Sequence, residues 1–167
     1  MEYNWRPAVG TDIGAIVKLA QQHFETEIDE IFKPDPLAYG RNLTFAVVRQ
    51  FYYPLRELVS VADTAQGIIA YTWAEANQSA PWSDDHMVVV KMAHVQMDLS
   101  GRDRVRLVGD MLQLWEKFAA LSNTPIVCST TMRRDQSGFL RLHERNGYDV
   151  RGSYAYKRIK PLVQHAV

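Results

Sequence analysis

The sequence has a single cysteine, Cys128, among its 167 residues. One cysteine excludes an internal disulfide and any site built from several thiolates, and it favours a reducing compartment. The chain also lacks an apolar run of the roughly 18 residues that a membrane span needs. Residues 1–4 have neither the basic nor the apolar part of a secretory signal. These absences predict a cytoplasmic protein with no membrane partner and no thiolate-rich metal site.

An excess of either charge is also missing. Nineteen Lys and Arg residues balance nineteen Asp and Glu residues, so the formal net charge is zero at pH 7. No overall positive field favours nucleic acid, and a nucleic-acid partner is not expected. Hydrophobic residues make up 47% of the chain, enough for a core. The length suits one domain spanning residues 1–167.

Apolar periodicity predicts an alternation of strands and helices. The predicted helices are 13–24, 37–51, 102–121 and 136–146, with a further helical turn at 27–32 and a polar loop at 77–85. The predicted strands are 3–9, 57–62, 67–76, 87–99, 125–130 and 148–159, the last being one strand or a tight pair. Hairpins come early and helical crossovers come late. This order predicts an α/β fold with a mixed sheet and helices on both faces.

Two stretches at the ends of predicted helices match known patterns. Residues 99–112 follow the longest strand, and there Arg104, Leu107 and Gly109 fall on an Arg/Gln-x-x-Gly-x-Gly/Ala signature. Residues 142–148, Leu-His-Glu-Arg-Asn-Gly-Tyr, are similar to a Leu-Tyr-Glu-Lys-x-Gly-Phe run. By these motifs and by element order the chain resembles the GCN5-related N-acetyltransferase (GNAT) family. It departs from the pattern at Leu107, where glycine is usual, and at His143, where tyrosine is usual.

The resemblance implies a mixed, mostly antiparallel central sheet in which one central strand pair, 87–99 and 125–130, splays apart. It implies acetyl-CoA or another acyl-CoA as co-substrate, with no metal. The implied activity is an N-acyltransferase in which an amine attacks the thioester directly. The amine acceptor would be a small molecule or a protein, and a homodimer is left open.

The cofactor contacts that the resemblance implies begin at the loop before the longest helix. A helix N-terminus offers unpaired N–H groups and a partial positive charge, which suit the pyrophosphate of coenzyme A. Met97 and Leu99 would pair with the pantetheine arm, and the Leu99 amide would polarise the acyl carbonyl. Gln136 would contact the cofactor from the last helix. The pyrophosphate loop would comprise Arg104, Val105, Arg106, Leu107, Val108 and Gly109.

Acyl transfer also needs a base for the amine and an acid for the thiolate. His94 and Asp98 share one face of the predicted strand and are the candidate bases. The alternatives are a core histidine for His94 and a helix cap for Asp98. His143 stands where the family has its acid tyrosine, and the alternative is a helix-surface histidine. Tyr154 and Tyr156 are reserve acids.

A second reading takes the departures at Leu107 and His143 as signs of a GNAT-shaped module that has lost turnover. Such a module would serve binding or assembly, for example as a phage-encoded, virion-associated protein. Cys128 lies in an apolar strand and is expected to be inert packing. Binding of acetyl-CoA separates the enzymatic reading from the assembly reading.

Overall fold

The computed structural model describes residues 1–28, 31–152, 155 and 157. Its helices are α1 (Ile13–Glu27), α2 (Pro36–Tyr52), α3 (Gly101–Leu121) and α4 (Ser137–Arg145), with a 3₁₀ turn at Gly10–Asp12 before α1. Its strands are β1 (Asn4–Pro7), β2 (Glu57–Thr64), β3 (Gly67–Ala80), β4 (Ser83–Val95) and β5 (Ile126–Cys128). No helix within these residues is long and apolar enough to cross a membrane.

The five strands form one sheet in the order β1-β2-β3-β4-β5. The first three pairs are antiparallel, and β4 pairs with β5 in parallel after the α3 crossover. The mixed, mostly antiparallel sheet predicted from element order is confirmed.

Helices cover both faces of the sheet, as the unbroken run of buried residues 69–74 in β3 requires. On one face, α1 and α2 pack Ile16 and Leu43 against Tyr71 and other apolar residues of the strands. On the other face, α3 packs Leu107 and Trp115 against a second cluster. We call these the α1/α2 core and the α3 core. Each fully buried Leu or Ile contributes about 1.5–3 kcal/mol relative to an exposed one.

Local signals in the sequence set the helix ends. Asp35 caps α2 by accepting from the amides of Leu37 and Ala38, with Pro36 at the first helical position. Ser100 caps α3 by accepting from the Asp103 amide. Gly147 ends α4 with φ +82°, and the Tyr148 amide donates to the His143 carbonyl at 3.1 Å. This is a Schellman end, for which glycine is favoured because of its positive φ.

The parallel strands β4 and β5 separate soon after they meet. Only Met87, Val88 and Val89 of β4 pair with Ile126, Val127 and Cys128 of β5. β4 then continues to Val95, while β5 ends at Cys128. The expected splay of this pair is confirmed, and we call the opening between residues 90–95 and the chain after Cys128 the fork.

Three predicted boundaries are wrong. Residues 77–85 form no polar loop, because β3 and β4 extend as an exposed ribbon that turns only at residues 81–82. The Asn77 kink, with φ +61°, hid the strand alternation there. The strand predicted for 87–99 ends at Val95, because residues 97–98 form a turn. Of the final strand predicted at 148–159, residues 148–152 form no strand and most of the rest lies outside the described residues.

Candidate active site

Four polar side chains from three parts of the chain meet at the end of β4. His23 and Glu27 lie four residues apart on α1 and therefore share a helix face. His94 lies on β4, and Arg133 reaches in from the segment between β5 and α4. The His23 and His94 side chains are 3% and 4% exposed, Glu27 is 13% exposed, and Arg133 is 41% exposed. A partly exposed arginine thus covers two buried imidazoles and a half-buried carboxylate, which we call the His23–Glu27–His94 cluster.

Short contacts connect the cluster. Arg133 Nε donates to Glu27 Oε1 at 2.6 Å, and Arg133 Nη2 contacts His23 Nδ1. His94 Nε2 lies 3.2 Å from Glu27 Oε2. Each oxygen of the buried carboxylate therefore has a donor, which is what burial of a charged group requires.

The hydrogen-bond partners fix which ring nitrogen carries a proton. His23 Nε2 lies 2.8 Å from the Val95 carbonyl oxygen, which can only accept, so Nε2 holds the proton. His23 Nδ1 then has a lone pair, which faces the N–H of Arg133. His94 Nε2 likewise donates to the Glu27 carboxylate. Both imidazoles are neutral in this arrangement.

A chain of hydroxyl groups supports His94 from behind. Its Nδ1 lies 2.7 Å from the Tyr71 hydroxyl, which lies 2.7 Å from the Tyr39 hydroxyl. Because His94 Nδ1 carries no proton, Tyr71 donates to it and Tyr39 donates to Tyr71. Tyr71 and His94 are opposite each other in the β3–β4 register, so the sheet itself aligns this contact. These hydrogen bonds from Tyr39 to Tyr71 and from Tyr71 to His94 hold the His94 ring in one orientation.

Burial and ion pairing set the protonation of the cluster. Burial alone would raise the pKa of Glu27, but its neighbours His23, His94 and Arg133 outweigh burial and hold that pKa well below its ordinary value. Burial lowers the pKa of His94 despite the adjacent Glu27. Burial also raises the pKa of Tyr39 and Tyr71. At neutral pH Glu27 is therefore ionised and His94 is neutral.

The donor set resembles that of a metal site, since His23, Glu27 and His94 each offer a ligand atom within 4.8 Å of the others. Two observations disfavour a metal ion there. The two rings are stacked 2° from parallel, so their in-plane lone pairs do not converge on one point. The Arg133 guanidinium already provides the cation.

Of the candidate bases, His94 lies in the cluster and Asp98 does not. His94 is buried, as the core-histidine alternative expected, but it is embedded in a polar network. Asp98 is exposed in the turn after β4 and accepts from the Gln96 side chain at 3.3 Å. Placing Asp98 on the same strand face as His94 was wrong, because the strand ends at Val95. It does not cap α3 either, since Ser100 does so.

His143 lies on the other side of the sheet, in the α3 core. It is 3% exposed, so the helix-surface alternative is wrong. Its Nδ1 donates to the Phe139 carbonyl at 2.9 Å, and its ring packs against Trp115, Phe139 and Tyr148. Within the described residues its Nε2 has no hydrogen-bond partner, and neither have Ser129 Oγ and Tyr148 Oη. Burial lowers the pKa of His143.

The prediction that residues 104–109 form a loop is wrong. These residues lie inside α3, and the Arg104 amide already donates to the Ser100 carbonyl at 3.0 Å. Leu107 is fully buried in the α3 core. Arg104, Val105 and Arg106 are exposed, whereas Val108 and Gly109 are half-buried. Because Ser100 starts the helix early, the amides without a partner among the described residues are those of Gly101 and Arg102.

The remaining predicted contacts are scattered along the chain. Met97 and Leu99 lie in the turn after β4, and the Leu99 amide points at the Gln96 carbonyl at 3.4 Å. The prediction that Met97 and Leu99 lie in an extended strand is therefore wrong. Gln136 is exposed at the start of α4 and makes no side-chain cap. Tyr154 and Tyr156 lie outside the described residues. Cys128 is half-buried, and burial raises the pKa of its thiol, which favours inert packing.

Sequence reasoning missed two members of the cluster, His23 and Glu27, and it also missed Arg133, which covers them. The spacing of His23 and Glu27 was a usable signal, because residues at i and i+4 share a helix face. It was lost because the predicted helix ended at residue 24, whereas α1 continues to Glu27. Arg133 lies in an irregular segment, where no periodicity indicates its direction.

No protein-family model matches the chain, and no curated protein matches it. Solved structures do match. A predicted acetyltransferase with acetyl-CoA from Clostridium acetobutylicum is 14% identical, with 94% of this chain and 96% of that chain covered and a TM-score of 0.70. Glucosamine-6-phosphate N-acetyltransferase from Arabidopsis thaliana is 10% identical, with 96% and 100% covered and a TM-score of 0.69.

A third match is AAC(6')-Iy in complex with the bisubstrate analog CoA-S-monomethyl-acetylneamine. It is 13% identical, with 96% of this chain and 100% of that chain covered and a TM-score of 0.69. These likenesses span nearly the whole chain. Together with the mixed sheet and its fork, they show that the chain has the GNAT acetyltransferase fold.

Proposed function

We propose that this protein is an acyl-CoA-dependent N-acyltransferase that transfers an acyl group, most simply acetyl, to an amine of a small molecule. The observation that carries the proposal is the fork: β4 runs on to Val95 after its three-residue pairing with β5 ends. A buried, ionised cluster lies at the end of the open strand.

The open edge of β4 suits the pantetheine arm of coenzyme A. Beyond Val89 no described strand pairs with β4 on the β5 side. The two amide groups of pantetheine can pair with such an edge as an added strand does, with the backbone supplying the hydrogen bonds. We therefore propose that the arm lies along residues 90–95, upstream of Met97 and Leu99.

The start of α3 suits the pyrophosphate. The amides of Gly101 and Arg102 are unpartnered within the described chain, and a helix N-terminus carries a partial positive charge. The guanidinium groups of Arg102, Arg104 and Arg106 add to it. None of the three forms an ion pair with a described residue: Arg106 lies over the Tyr3 ring, 4.9 Å from its centroid, while Asp103 accepts from Ser100 and Asp110 accepts from Tyr3 and Trp5. We infer that the free amides and the guanidinium groups outweigh Asp103 in this turn and favour an anion, although the chain is neutral overall.

A small-molecule acceptor is supported by the names of two structural neighbours. One was solved with a CoA-acetylneamine bisubstrate analog, and the other is a glucosamine-6-phosphate N-acetyltransferase. Both names describe acetylation of an amino sugar or a related amine. The present chain is assigned only the shared chemistry, an amine attacking a thioester.

The reaction balances without a metal or a redox partner. The amine nitrogen forms a bond to the thioester carbonyl carbon, and the carbon–sulfur bond breaks. One proton leaves the bound ammonium before attack, and a second leaves the nitrogen afterwards and ends on the thiolate sulfur. His94 and Asp98 as base and His143 as acid stay predictions. His94 has both ring nitrogens engaged, and His143 would have to carry a second proton before it could donate from Nε2.

Calorimetry with desulfo-CoA and acetyl-CoA tests the proposal. The expected result is micromolar binding of both ligands, and release of free coenzyme A thiol from acetyl-CoA alone when a primary amine is added. No heat of binding at millimolar ligand would reject it and favour the assembly reading. That reading no longer draws support from Leu107, which is core packing in a helix and does not obstruct a loop.

A further inference from the structure

We propose that His23 and Glu27 bind the primary ammonium group of the acceptor, and that Arg133 occupies this position in the free protein as an internal stand-in for that cation. The proposal rests on the proposed function for the identity of the reaction, but the binding step can be measured without coenzyme A. The proposal concerns the contact of the Arg133 guanidinium with Glu27 Oε1 and His23 Nδ1.

The pocket under Arg133 is built to accept hydrogen bonds from a cation. Glu27 Oε1 and the lone pair on His23 Nδ1 both face the guanidinium. Neither can donate there: Glu27 is ionised, and the His23 proton is on Nε2, held by the Val95 carbonyl. A donor-only group with positive charge therefore satisfies the site. An anionic ligand such as a carboxylate or phosphate would be repelled there by the Glu27 carboxylate and the His23 lone pair.

The two sides of this contact differ in how they are held. Glu27 is fixed from behind by His94, which is fixed in turn by Tyr71 and Tyr39. His23 is fixed by its bond to β4 and by stacking on His94, with ring centroids 4.3 Å apart. Arg133 comes from an irregular segment and is 41% exposed. The acceptors form the preorganised part, and the guanidinium is the part that can leave.

The charge of Glu27 explains why another cation must replace the Arg133 guanidinium when it leaves. With Arg133 withdrawn, Glu27 would be a nearly buried carboxylate without a counter-charge, which is unfavourable. An incoming ammonium restores the balance. It has three N–H donors, so it can bond Glu27 Oε1 and His23 Nδ1 and still direct one bond elsewhere.

The position also suits the reaction. His23 bonds the carbonyl of Val95, the last residue of β4, so the site lies at the end of the open strand edge proposed for pantetheine. His23 Nδ1 can take one proton from the ammonium, which leaves a neutral amine beside the thioester. His23 later releases that proton to water. His23 is then the catalytic base, and His94 is a positioning residue that acts through Glu27.

The experiment measures binding of n-butylammonium to the full-length chain in the absence of coenzyme A, by calorimetry and by the histidine ring signals in NMR. Arg133→Gln removes the internal cation and is expected to bind n-butylammonium at least tenfold more tightly than the wild type. Adding Glu27→Gln to that variant should abolish the gain. Butyrate, which carries the opposite charge, should bind neither the wild type nor Arg133→Gln. The exposed Arg141→Gln on α4 is the matched control and should match the wild type.

Equal affinity of Arg133→Gln and the wild type would overturn the proposal, as would a gain that survives Glu27→Gln. If Arg133→Gln does not fold, Arg133→Lys supplies the test, because it keeps an ammonium at the site. Its affinity for n-butylammonium should stay within threefold of the wild type, and a larger rise would overturn the proposal. Failure of desulfo-CoA to bind would reject the acyltransferase assignment alone, since the amine titration contains no coenzyme A.

Discussion

The imidazole rings of His23 and His94 lie face to face, with centroids 4.3 Å apart and planes 2° from parallel. Two protonated rings at this distance would repel each other strongly in a buried setting. The stack is therefore compatible with neutral rings, each donating one N–H to an oxygen. This arrangement gives His23 a lone pair at Nδ1 while His94 orients Glu27. Several consequences can be measured.

Stability should fall as the medium becomes acidic. Burial lowers the pKa of both His94 and His143, so below about 6.5 the unfolded chain binds protons that the native state does not. The stability from neutral rings is fully present above that pH and is lost as pH falls toward the folded-state pKa values. Each ring contributes a slope of up to about 1.4 kcal/mol per pH unit.

Urea unfolding at intervals between pH 7.5 and pH 5 measures this slope. The His143→Phe variant is the comparison, since the aromatic surroundings of His143 accept a phenyl ring. The unfolding free energy of this variant should depend less steeply on pH than that of the wild type, because the contribution of the His143 ring is lost. A wild-type free energy of unfolding that stays flat or rises toward pH 5 would contradict the assignment of neutral buried histidines.

Removing Arg49 should destabilise the fold more than an ordinary surface substitution. Its guanidinium pairs with Glu57 at 2.8 Å, and the Glu57 side chain is only 2% exposed. Arg49→Met leaves a buried carboxylate, at a cost of about 3 kcal/mol. The double variant Arg49→Met with Glu57→Gln should recover most of that loss, because Trp73 Nε1 can still donate to the amide oxygen. Additive losses in chemical denaturation would show that the pair is not coupled.

Replacing Gly109 by alanine should stabilise the protein by about 1 kcal/mol, because alanine favours the helix more. No heavy atom lies within 4 Å of the added Cβ. Desulfo-CoA affinity should not change, since this residue lies well inside α3. The same substitution at Gly147, where φ is +82°, should destabilise by about 1 kcal/mol. Weaker desulfo-CoA binding in Gly109→Ala would contradict the placement of the cofactor away from this part of α3.

Charge reversal at Arg102 should weaken cofactor binding without affecting the fold. Arg102→Glu places an anion beside the unpartnered amides at the start of α3, where it opposes the pyrophosphate. We expect at least a tenfold loss of desulfo-CoA affinity and a change in unfolding free energy within about 0.5 kcal/mol. Lys117→Glu, an exposed reversal nearer the other end of the same helix, should leave the affinity within twofold. Equal losses in both variants would indicate a general charge effect.

The fold was largely predictable because it is recorded in local patterns. The two-residue and 3.6-residue periods located every element from β1 to α4, and the glycine after α4 marked its end. The errors arose where tertiary structure overrode the pattern. A polar ribbon was taken for a loop around Asn77, and the apolar run through Leu99 hid the turn after Val95.

The site was less predictable, because its members come from distant parts of the chain. His94 was found from its place on the longest strand. His23 and Glu27 are joined to it only by the packing of α1 on the sheet, and Arg133 by an irregular segment. His143 was selected by motif, but the structure places it in the α3 core, on the opposite face from His94. A motif match cannot report the face on which a side chain lies.

Hydrogen exchange of backbone amides with and without desulfo-CoA tests the central claim most directly, because it reports where the ligand lies. Slowed exchange is expected at residues 90–95 on the open edge of β4 and at residues 101–102 at the start of α3. Residues 104–109, already bonded within the helix, should be unaffected. Slowed exchange confined to other segments, or none at saturating ligand, would contradict the placement of the cofactor in the fork.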